Sequence, residues 1–181
     1  IQVLNPREDY TTIAQYSTGN GSNPQDIVVI SQKKAYITRY QYKGLLVADP
    51  LGSGWKKVID LGDLSDADGI PEMAYMLLIG NRLFIAIQRL DSTNWYVPTD
   101  YSLIAVINTD TDELVKTIRL TGLDPFTPLI YDPANQRIYV GSMGYFGVDD
   151  GGVEAISVNL ANDTYTPLGI IIGEDVLGGD I

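Results

Sequence analysis

The 181-residue sequence contains no cysteine and no histidine. Disulfides, zinc sites built from Cys and His, thiolate nucleophiles and His-based catalytic triads are therefore excluded within this sequence. The lack of Cys does not assign a redox compartment, because exported proteins also occur without it. Long apolar runs are missing as well, since none approaches the roughly 20 residues that a membrane-spanning helix needs. The sequence thus predicts no membrane span.

Basic residues are scarce. The chain has 12 Lys and Arg against 23 Asp and Glu, which gives a formal net charge of −11. A field of that sign repels a phosphate backbone, so nucleic acids and anionic membranes are disfavoured as partners. Gly and Tyr are abundant, with 18 and 12 residues, and Val, Ile and Leu recur in short runs. This composition favours strands joined by turns over helices.

A repeat becomes visible when four turn segments are aligned. Each follows a short apolar strand, precedes another strand and is rich in Asn, Asp, Gly, Pro or Thr, most of which suit tight turns. The turns begin at Asn5, Asp49, Asn108 and Asn159, about 45 to 60 residues apart, which is the length of a four-stranded blade. We therefore predict an all-β chain, a segment of a β-propeller built from four-stranded antiparallel blades. A β-sandwich with coincidentally similar turns is the alternative.

The predicted units share one strand order. Each full unit starts at a Pro, continues through a nearly charge-free strand, a hairpin turn and a second strand, and reaches the third strand after a variable loop. An uncharged first strand suits the innermost position, whereas Lys, Arg and Pro in the fourth strands suit an outer edge. The predicted boundaries are a half blade at 1–19, full blades at 24–62, 71–122 and 125–172, and the start of a further blade at 173–181.

These units amount to about three and a half blades, fewer than the four or more of a closed propeller. We expect additional blades, or a second polypeptide chain, to close the ring. The first residue is Ile rather than Met, so we also expect a preceding segment, for example a signal peptide.

The middle unit carries the clearest motif. Residues 103–122 run as an apolar strand ending in Asn, a Thr-rich turn and a second apolar strand closed by Gly, and this pattern resembles the YVTN-type repeat of bacterial and archaeal surface propellers. Segments 83–86 and 138–141 are similar to the second-strand motif of that family, while Trp55 and Pro167 depart from it. The resemblance implies a propeller fold, a surface location and a role in interaction. It supplies no catalytic residues.

The loops predicted to share one face of the propeller are acidic, most densely between residues 63 and 72. The candidate metal ligands are Asp63, Asp66, Asp68 and Glu72, because alternating carboxylates around a Gly suit Ca²⁺. Calcium is the one cofactor that the sequence suggests. The spacing lacks the EF-hand pattern, so a solvated loop in which Asp66 or Asp68 caps a local turn is the alternative.

Aromatic residues mark a second candidate site. The longest predicted loop carries Trp95, Tyr96 and Tyr101, and the equivalent loop of the next unit carries Tyr145 and Phe146. Rings flanked by hydrogen-bonding groups offer flat apolar area to sugars or peptides. These five are therefore the candidate ligand-binding residues. The alternative is that the rings pack down on the blades.

Three functions are compatible with this sequence. The favoured one is a non-catalytic extracytoplasmic module (periplasmic, cell-surface or secreted) that binds a protein or glycan or contributes to an envelope assembly. The second is a calcium-assisted propeller enzyme of the lactonase or glycan-lyase kind, for which Asp68, Glu72 and Asp150 offer carboxylates. The third is a structural segment of a filament or sheath. No catalytic residue is assigned.

Overall fold

The structure of the chain is a computed structural model that describes residues 1–52 and 54–173. That part of the chain forms strands and a single turn of 3₁₀ helix (Gly62–Leu64), with no α-helix. The strands, in chain order, are β1 (Gln2–Asn5), β2 (Thr11–Gln15), β3 (Pro24–Ser31), β4 (Lys34–Arg39), β5 (Gly44–Asp49), β6 (Gly54–Asp60), β7 (Met73–Ile79), β8 (Arg82–Ile87), β9 (Leu90–Asp91), β10 (Val97–Pro98), β11 (Leu103–Asn108), β12 (Glu113–Arg119), β13 (Ile130–Asp132), β14 (Arg137–Ser142), β15 (Gly152–Asn159) and β16 (Thr164–Gly173).

Twelve of these strands form three antiparallel four-stranded sheets, which we call blades 1, 2 and 3. Their strand orders are β3-β4-β5-β6, β7-β8-β11-β12 and β13-β14-β15-β16. The hairpin β1–β2 stands alone before blade 1, and the short ribbon β9–β10 lies within a loop of blade 2. The predicted four-stranded antiparallel architecture is confirmed.

The aligned turns form for a local reason. The side-chain oxygens of Asn5, Asp49, Asn108 and Asn159 accept hydrogen bonds from the backbone N–H two residues further on, over 3.1, 3.3, 2.9 and 3.1 Å. This Asx geometry satisfies a backbone donor inside the turn and reverses the chain. The repeat seen in the sequence is therefore a repeat of turn chemistry.

Apolar side chains between consecutive sheets hold the blades together. One core cluster joins blades 1 and 2, a second joins blades 2 and 3, and a small third cluster seats Ile1 and Tyr16 of the β1–β2 hairpin on blade 1. The first strands are adjacent, since β7 contacts both β3 and β13. The sheets thus stack in chain order with their first strands side by side.

The register of the first two strands defines equivalent positions in the blades. Pro24 pairs with Arg39, Met73 pairs with Ile87, and Pro125 forms a bridge with Ser142. Met73, rather than the Pro two residues before it, is therefore the counterpart of Pro24 and Pro125. Except for the last residue of β16, the segment 173–181 predicted to start a further blade lies outside the described residues.

One end of the blades carries the second-to-third-strand loops and the linkers between blades, and we call it the loop end. The opposite end carries the short hairpin turns, and we call it the turn end. No helix among the described residues has the length and apolarity to cross a membrane.

Candidate functional site at the loop end

Three residues occupy one repeated position at the loop end, each directly before the residue that pairs with the last residue of the second strand. The carbonyl oxygens of Asn23, Glu72 and Asp124 accept hydrogen bonds from the residue directly after the second strand, over 3.0, 3.2 and 2.9 Å. All three have left-handed backbones, with φ of 46°, 46° and 54°. A non-glycine residue seldom adopts this conformation, so the recurrence of a left-handed backbone at this position is a specific feature of the repeated fold. We call these three the mouth residues.

Glu72 is the most deeply buried mouth residue. Its side chain is 1% exposed, Oε2 accepts a 3.0 Å hydrogen bond from the Leu90 backbone N–H, and Oε1 has no partner. Burial raises the pKa of Glu72 to about 8, with further repulsion from Asp68 and Asp66. Desolvation penalises the charged form, so Glu72 is mainly protonated at neutral pH.

Asp124 is tied to its neighbours by a small network. Its carboxylate accepts a hydrogen bond from Nε2 of Gln88, and its backbone N–H donates to Ser102 Oγ over 3.1 Å. The Ser102 hydroxyl donates in turn to the Gln88 carbonyl oxygen over 2.8 Å. Burial raises the pKa of Asp124 in spite of the hydrogen bond from Gln88. The network fixes the end of β8 against the linker into blade 3.

The Tyr40 hydroxyl lies near both buried carboxyl groups, those of Glu72 and Asp124. Burial raises the pKa of this hydroxyl, and the charges of Glu72 and Asp124 raise it further, so both carboxyls lie within electrostatic reach of this ring. The Tyr96 ring lies 6.2 Å from the Tyr40 ring, centroid to centroid, and its hydroxyl accepts a 3.1 Å hydrogen bond from Gln41 Nε2. The long loop of blade 2 therefore contacts the loop of blade 1 that contains Tyr40 and Gln41.

A cleft of about 340 Å³ opens beside this loop. Asp66, Ala67 and Asp68 of the linker and Asp91, Thr93 and Thr99 of the long loop line it. The Ser92 backbone N–H donates to Asp68 Oδ2 over 3.2 Å, which joins the two walls. Asp66 Oδ2 is buried without a partner. The cleft therefore presents carboxylates and hydroxyls from two segments that are held in fixed relation.

The four candidate metal ligands do not form one group. Asp63 lies in the 3₁₀ turn and is exposed, whereas Glu72 is buried beneath Leu90. The oxygens of Asp66 and Asp68 accept backbone N–H bonds: Asp66 Oδ1 from Asp68, and Asp68 Oδ1 from Ile70, over 3.1 and 2.8 Å. In residues 1–52 and 54–173 no three acidic side chains are arranged to hold a metal ion. For Asp66 and Asp68 the structure matches the turn-capping alternative.

The five candidate aromatic residues divide into three groups. Trp95 and Phe146 are 93% and 96% exposed. Tyr101 is packed instead, because the guanidinium carbons of Arg89 and Arg119 lie 3.6 and 4.2 Å from its ring centroid. The two that remain lie between these extremes: Tyr96 packs on Tyr40, and Tyr145 donates its backbone N–H to Asp150 Oδ1 over 2.9 Å. Only part of the predicted set is free to receive a ligand.

Sequence reasoning missed several residues of this site. Gln88 and Tyr40 directly follow second strands whose interiors are mainly apolar, and nothing in their spacing marks them as neighbours of buried carboxyls. Glu154 was also missed; it is fully buried, and its Oε2 accepts the backbone N–H groups of Thr121 and Gly122 over 2.8 and 3.0 Å. A single charged residue inside the apolar strand β15 was the available signal, since a buried charge needs compensating donors.

Comparison with known proteins bears on the fold. No protein-family model and no curated protein matches the chain. Among solved structures, the chain is similar to a candidate 6-phosphogluconolactonase from Bacteroides fragilis NCTC 9343, with 15% sequence identity and a TM-score of 0.57. The blades are propeller blades. The match covers 82% of this chain and 38% of the chain of that structure, so this propeller segment spans well under half the length of the similar protein. At this level of identity the similarity shows the fold alone.

Proposed function

We propose that this propeller segment is a non-catalytic binding module, acting outside the cytoplasm, whose loop end takes a neutral glycan. The observation that carries the proposal is the cleft beside the long loop of blade 2. One wall of the cleft, with Asp91, Thr93 and Thr99, belongs to the same loop that presents Trp95 almost fully to solvent. Acceptor and donor groups beside an open aromatic ring match the alternating hydroxyls and C–H faces of a sugar.

The charges at the loop end favour a neutral ligand over an anionic one. The cleft contains Asp66, Asp68 and Asp91 and has no basic residue in its lining. The nearest guanidinium, that of Arg89, is already engaged by the Tyr101 ring and by Asp100, whose Oδ1 lies 3.3 Å from Nη1. A carboxylated or phosphorylated sugar would meet repulsion there without a compensating cation.

Native gels cast with soluble polysaccharides test the proposal. Xylan, mannan, a mixed-linkage β-glucan and amylopectin are the neutral probes, and alginate and polygalacturonate are the anionic ones. We expect retardation by at least one neutral probe and by neither anionic probe. Trp95→Ala should abolish the retardation and Trp95→Phe should keep part of it. Tyr10→Ala is the matched control, because Tyr10 is an exposed aromatic residue (66%) at the turn end. Retardation that persists in Trp95→Ala would contradict the proposed site.

A lactonase or lyase is the second candidate function, and one observation favours it. Glu72, with a pKa of about 8, lies in the same buried group as Asp124, and two carboxyl groups in different environments can divide acid and base roles. Glu72 lies beneath Leu90, however, and Asp150 is bound to its own loop by Tyr145. Neither Glu72 nor Asp150 lines the cleft.

Hydrolysis assays separate the two functions. Glucono-δ-lactone and 6-phosphogluconolactone are offered in a pH-stat, with Glu72→Gln as the variant. The binding proposal expects no turnover above the spontaneous rate with either lactone. Turnover that disappears in Glu72→Gln, while binding of the neutral polysaccharide persists, would assign the enzyme function instead.

The location outside the cytoplasm is supported by the resemblance of residues 103–122 to surface propeller repeats. Its test is fractionation of the native host followed by immunoblotting. We expect the protein in the envelope or secreted fraction, and recovery with a cytoplasmic marker would contradict this part of the proposal.

A further inference from the structure

The side of blade 3 that faces away from blade 2 repeats two faces that are buried elsewhere in the chain. Strand pairing places Tyr36, Phe84 and Tyr139 at one equivalent position in blades 1, 2 and 3, opposite Val47, Val106 and Ala155. In blades 1 and 2 these residues are buried against the following blade. In blade 3 no following blade exists among the described residues. The face that Tyr139 belongs to is thus built like a blade interface.

The fourth strand extends this equivalence. Ile59 and Ile118 belong to the two buried interfaces, and both are less than 10% exposed. By the pairing of the third and fourth strands, Ile172 is their counterpart in blade 3, and it is 46% exposed. An isoleucine that is exposed at a position buried in both other blades indicates a surface suited to contact with another protein surface.

A charge pair accompanies each interface at the turn end. We call the turn between the third and fourth strands of a blade its outer turn. Lys34, the first residue of β4, places its Nζ 2.7 Å from Oδ1 of Asp112 in the outer turn of blade 2. Arg82, the first residue of β8, lies 2.7 Å from Asp163 in the outer turn of blade 3. Arg137, the first residue of β14, is the third basic residue in this series and is exposed. From this pattern we expect an element that packs on this face of blade 3 to carry an acidic residue in its outer turn.

The β1–β2 hairpin offers such a turn. Asp112 and Asp163 each follow the Asn of their turn by four residues and have left-handed backbones, with φ of 60° and 52°. Asp9 follows Asn5 by four residues, has φ of 50°, and is exposed. The hairpin corresponds to the third and fourth strands of a blade, as expected for the unit before blade 1.

The side of the hairpin that faces away from blade 1 is open and partly apolar. Ile1 and Tyr16 pack on blade 1, whereas Leu4 and Ile13 are outside that cluster and are 41% and 53% exposed. Blade 3 and the β1–β2 hairpin therefore carry two complementary surfaces, with a basic residue on blade 3 and an acidic turn on the hairpin.

We propose that the face of blade 3 that carries Tyr139 and Ile172 docks on the β1–β2 hairpin of a second copy of this chain, with Arg137 of one copy paired with Asp9 of the other. The contact joins different surfaces, so it is heterologous, and repeated it closes a ring of copies or extends as a filament. Each copy brings the same pair of complementary surfaces, which is why one chain suffices as both partners.

Sedimentation velocity tests the proposal on the whole chain, from low micromolar to a few hundred micromolar protein. We expect self-association that weakens at least tenfold in Arg137→Glu and in Asp9→Arg. Mixing these two variants should restore a complex, because the reversed charges face each other again at one contact. That restoration also shows that both variants fold. Lys116→Glu, the same change of charge on β12 away from the face, should associate like the wild type.

Two results would overturn the proposal. One is association that Arg137→Glu leaves unchanged, since the charge pair would then play no part. The other is a monomer at every concentration. In that case, thiol labelling of Ile172→Cys identifies the cause: a protected thiol assigns the face to another segment of the same polypeptide, and a reactive one shows that the face stays open.

Discussion

Arg82 donates hydrogen bonds of 2.7 Å from both Nε and Nη2 to the two carboxylate oxygens of Asp163. The Tyr165 hydroxyl donates to the same carboxylate over 2.7 Å, and the ring of Tyr165 packs edge-on against Phe84 with centroids 5.3 Å apart. One polar contact and one apolar contact thus join blade 2 to blade 3 at neighbouring positions. Bidentate geometry fixes orientation as well as distance, so the pair sets the angle between the two blades.

Asp163→Asn should destabilise the protein at neutral pH and not in strong acid. The hydrogen bonds from Arg82 and Tyr165 lower the pKa of Asp163 to about 2. A carboxyl group with a lowered folded pKa stabilises the fold above its unfolded pKa of about 4, and this contribution is lost as the pH falls towards 2. Because Asp163 is partly exposed, we expect a loss of about 1 kcal/mol in the free energy of unfolding near pH 7.

Urea unfolding of both proteins near pH 7 and near pH 2 measures this difference. Glu113→Gln is the control, since Glu113 is an exposed carboxylate at the start of β12, and its effect should stay within about 0.5 kcal/mol. A deficit in Asp163→Asn that is as large near pH 2 as near pH 7 would show that the carboxylate charge is irrelevant to the contact.

Glu72→Gln should have the opposite dependence on pH. The pKa of Glu72 is raised to about 8 by burial. A carboxyl group with a raised folded pKa leaves stability intact below its unfolded pKa of about 4.3 and costs stability as the pH rises towards 8. Glutamine cannot ionise and can still accept the Leu90 N–H, so the variant escapes this cost. We expect the free energy of unfolding of Glu72→Gln to exceed that of the wild type by about 1 to 3 kcal/mol above pH 8 and to be close to it near pH 5.

Thermal unfolding at about pH 5 and about pH 9 checks this expectation, with Glu8→Gln as an exposed control in the β1–β2 turn. Equal melting temperatures for wild type and Glu72→Gln at both pH values would mean that Glu72 titrates normally and is open to water.

The strand order and the turns could be predicted from sequence because their causes are local. An Asx turn such as that at Asn108 depends on one side chain and the backbone two residues on, so its signature survives in the sequence. The mouth position could not be found in this way. Asn23, Glu72 and Asp124 share a left-handed backbone and a carbonyl hydrogen bond but no residue type, and the linkers before them differ in length. Their equivalence comes from sheet register, which only the folded chain shows.

The same limit applies to the aromatic residues. Trp95 and Tyr101 stand six residues apart in one loop, with similar polar neighbours, and the sequence placed both in one ligand-binding set. What separates them is the pair Arg89 and Arg119, whose guanidinium groups lie on the Tyr101 ring; Arg119 ends β12, the strand beside β11. Glu72 likewise receives its side-chain hydrogen bond from Leu90, eighteen residues further along the chain. Contacts between distant segments decide which candidates remain exposed.

Chelation should leave the fold unchanged. Asp66 Oδ1 and Asp68 Oδ1 each accept a backbone N–H, Glu72 is mainly protonated at neutral pH, and the described residues contain no group of three acidic side chains arranged to hold a metal ion, whereas Ca²⁺ takes six to eight oxygens. We expect the melting temperature to shift by less than about 1 °C with EDTA or with millimolar Ca²⁺. A rise with Ca²⁺ that Asp68→Asn abolishes would support the calcium prediction and contradict this expectation.

Trp95→Ala and Tyr101→Ala should differ in stability although both remove an aromatic ring from the same loop. Trp95 contributes almost all of its side chain to solvent, so its truncation should change the free energy of unfolding by less than about 0.5 kcal/mol. Tyr101 lies against two guanidinium groups and the core between blades 1 and 2, so its truncation should cost about 2 kcal/mol. Tyr101→Phe keeps the ring and should stay close to the wild type. Urea unfolding followed by circular dichroism gives all three values. Equal losses for Trp95→Ala and Tyr101→Ala would mean that Trp95 packs on the protein, and its part in glycan binding would then lose its structural basis.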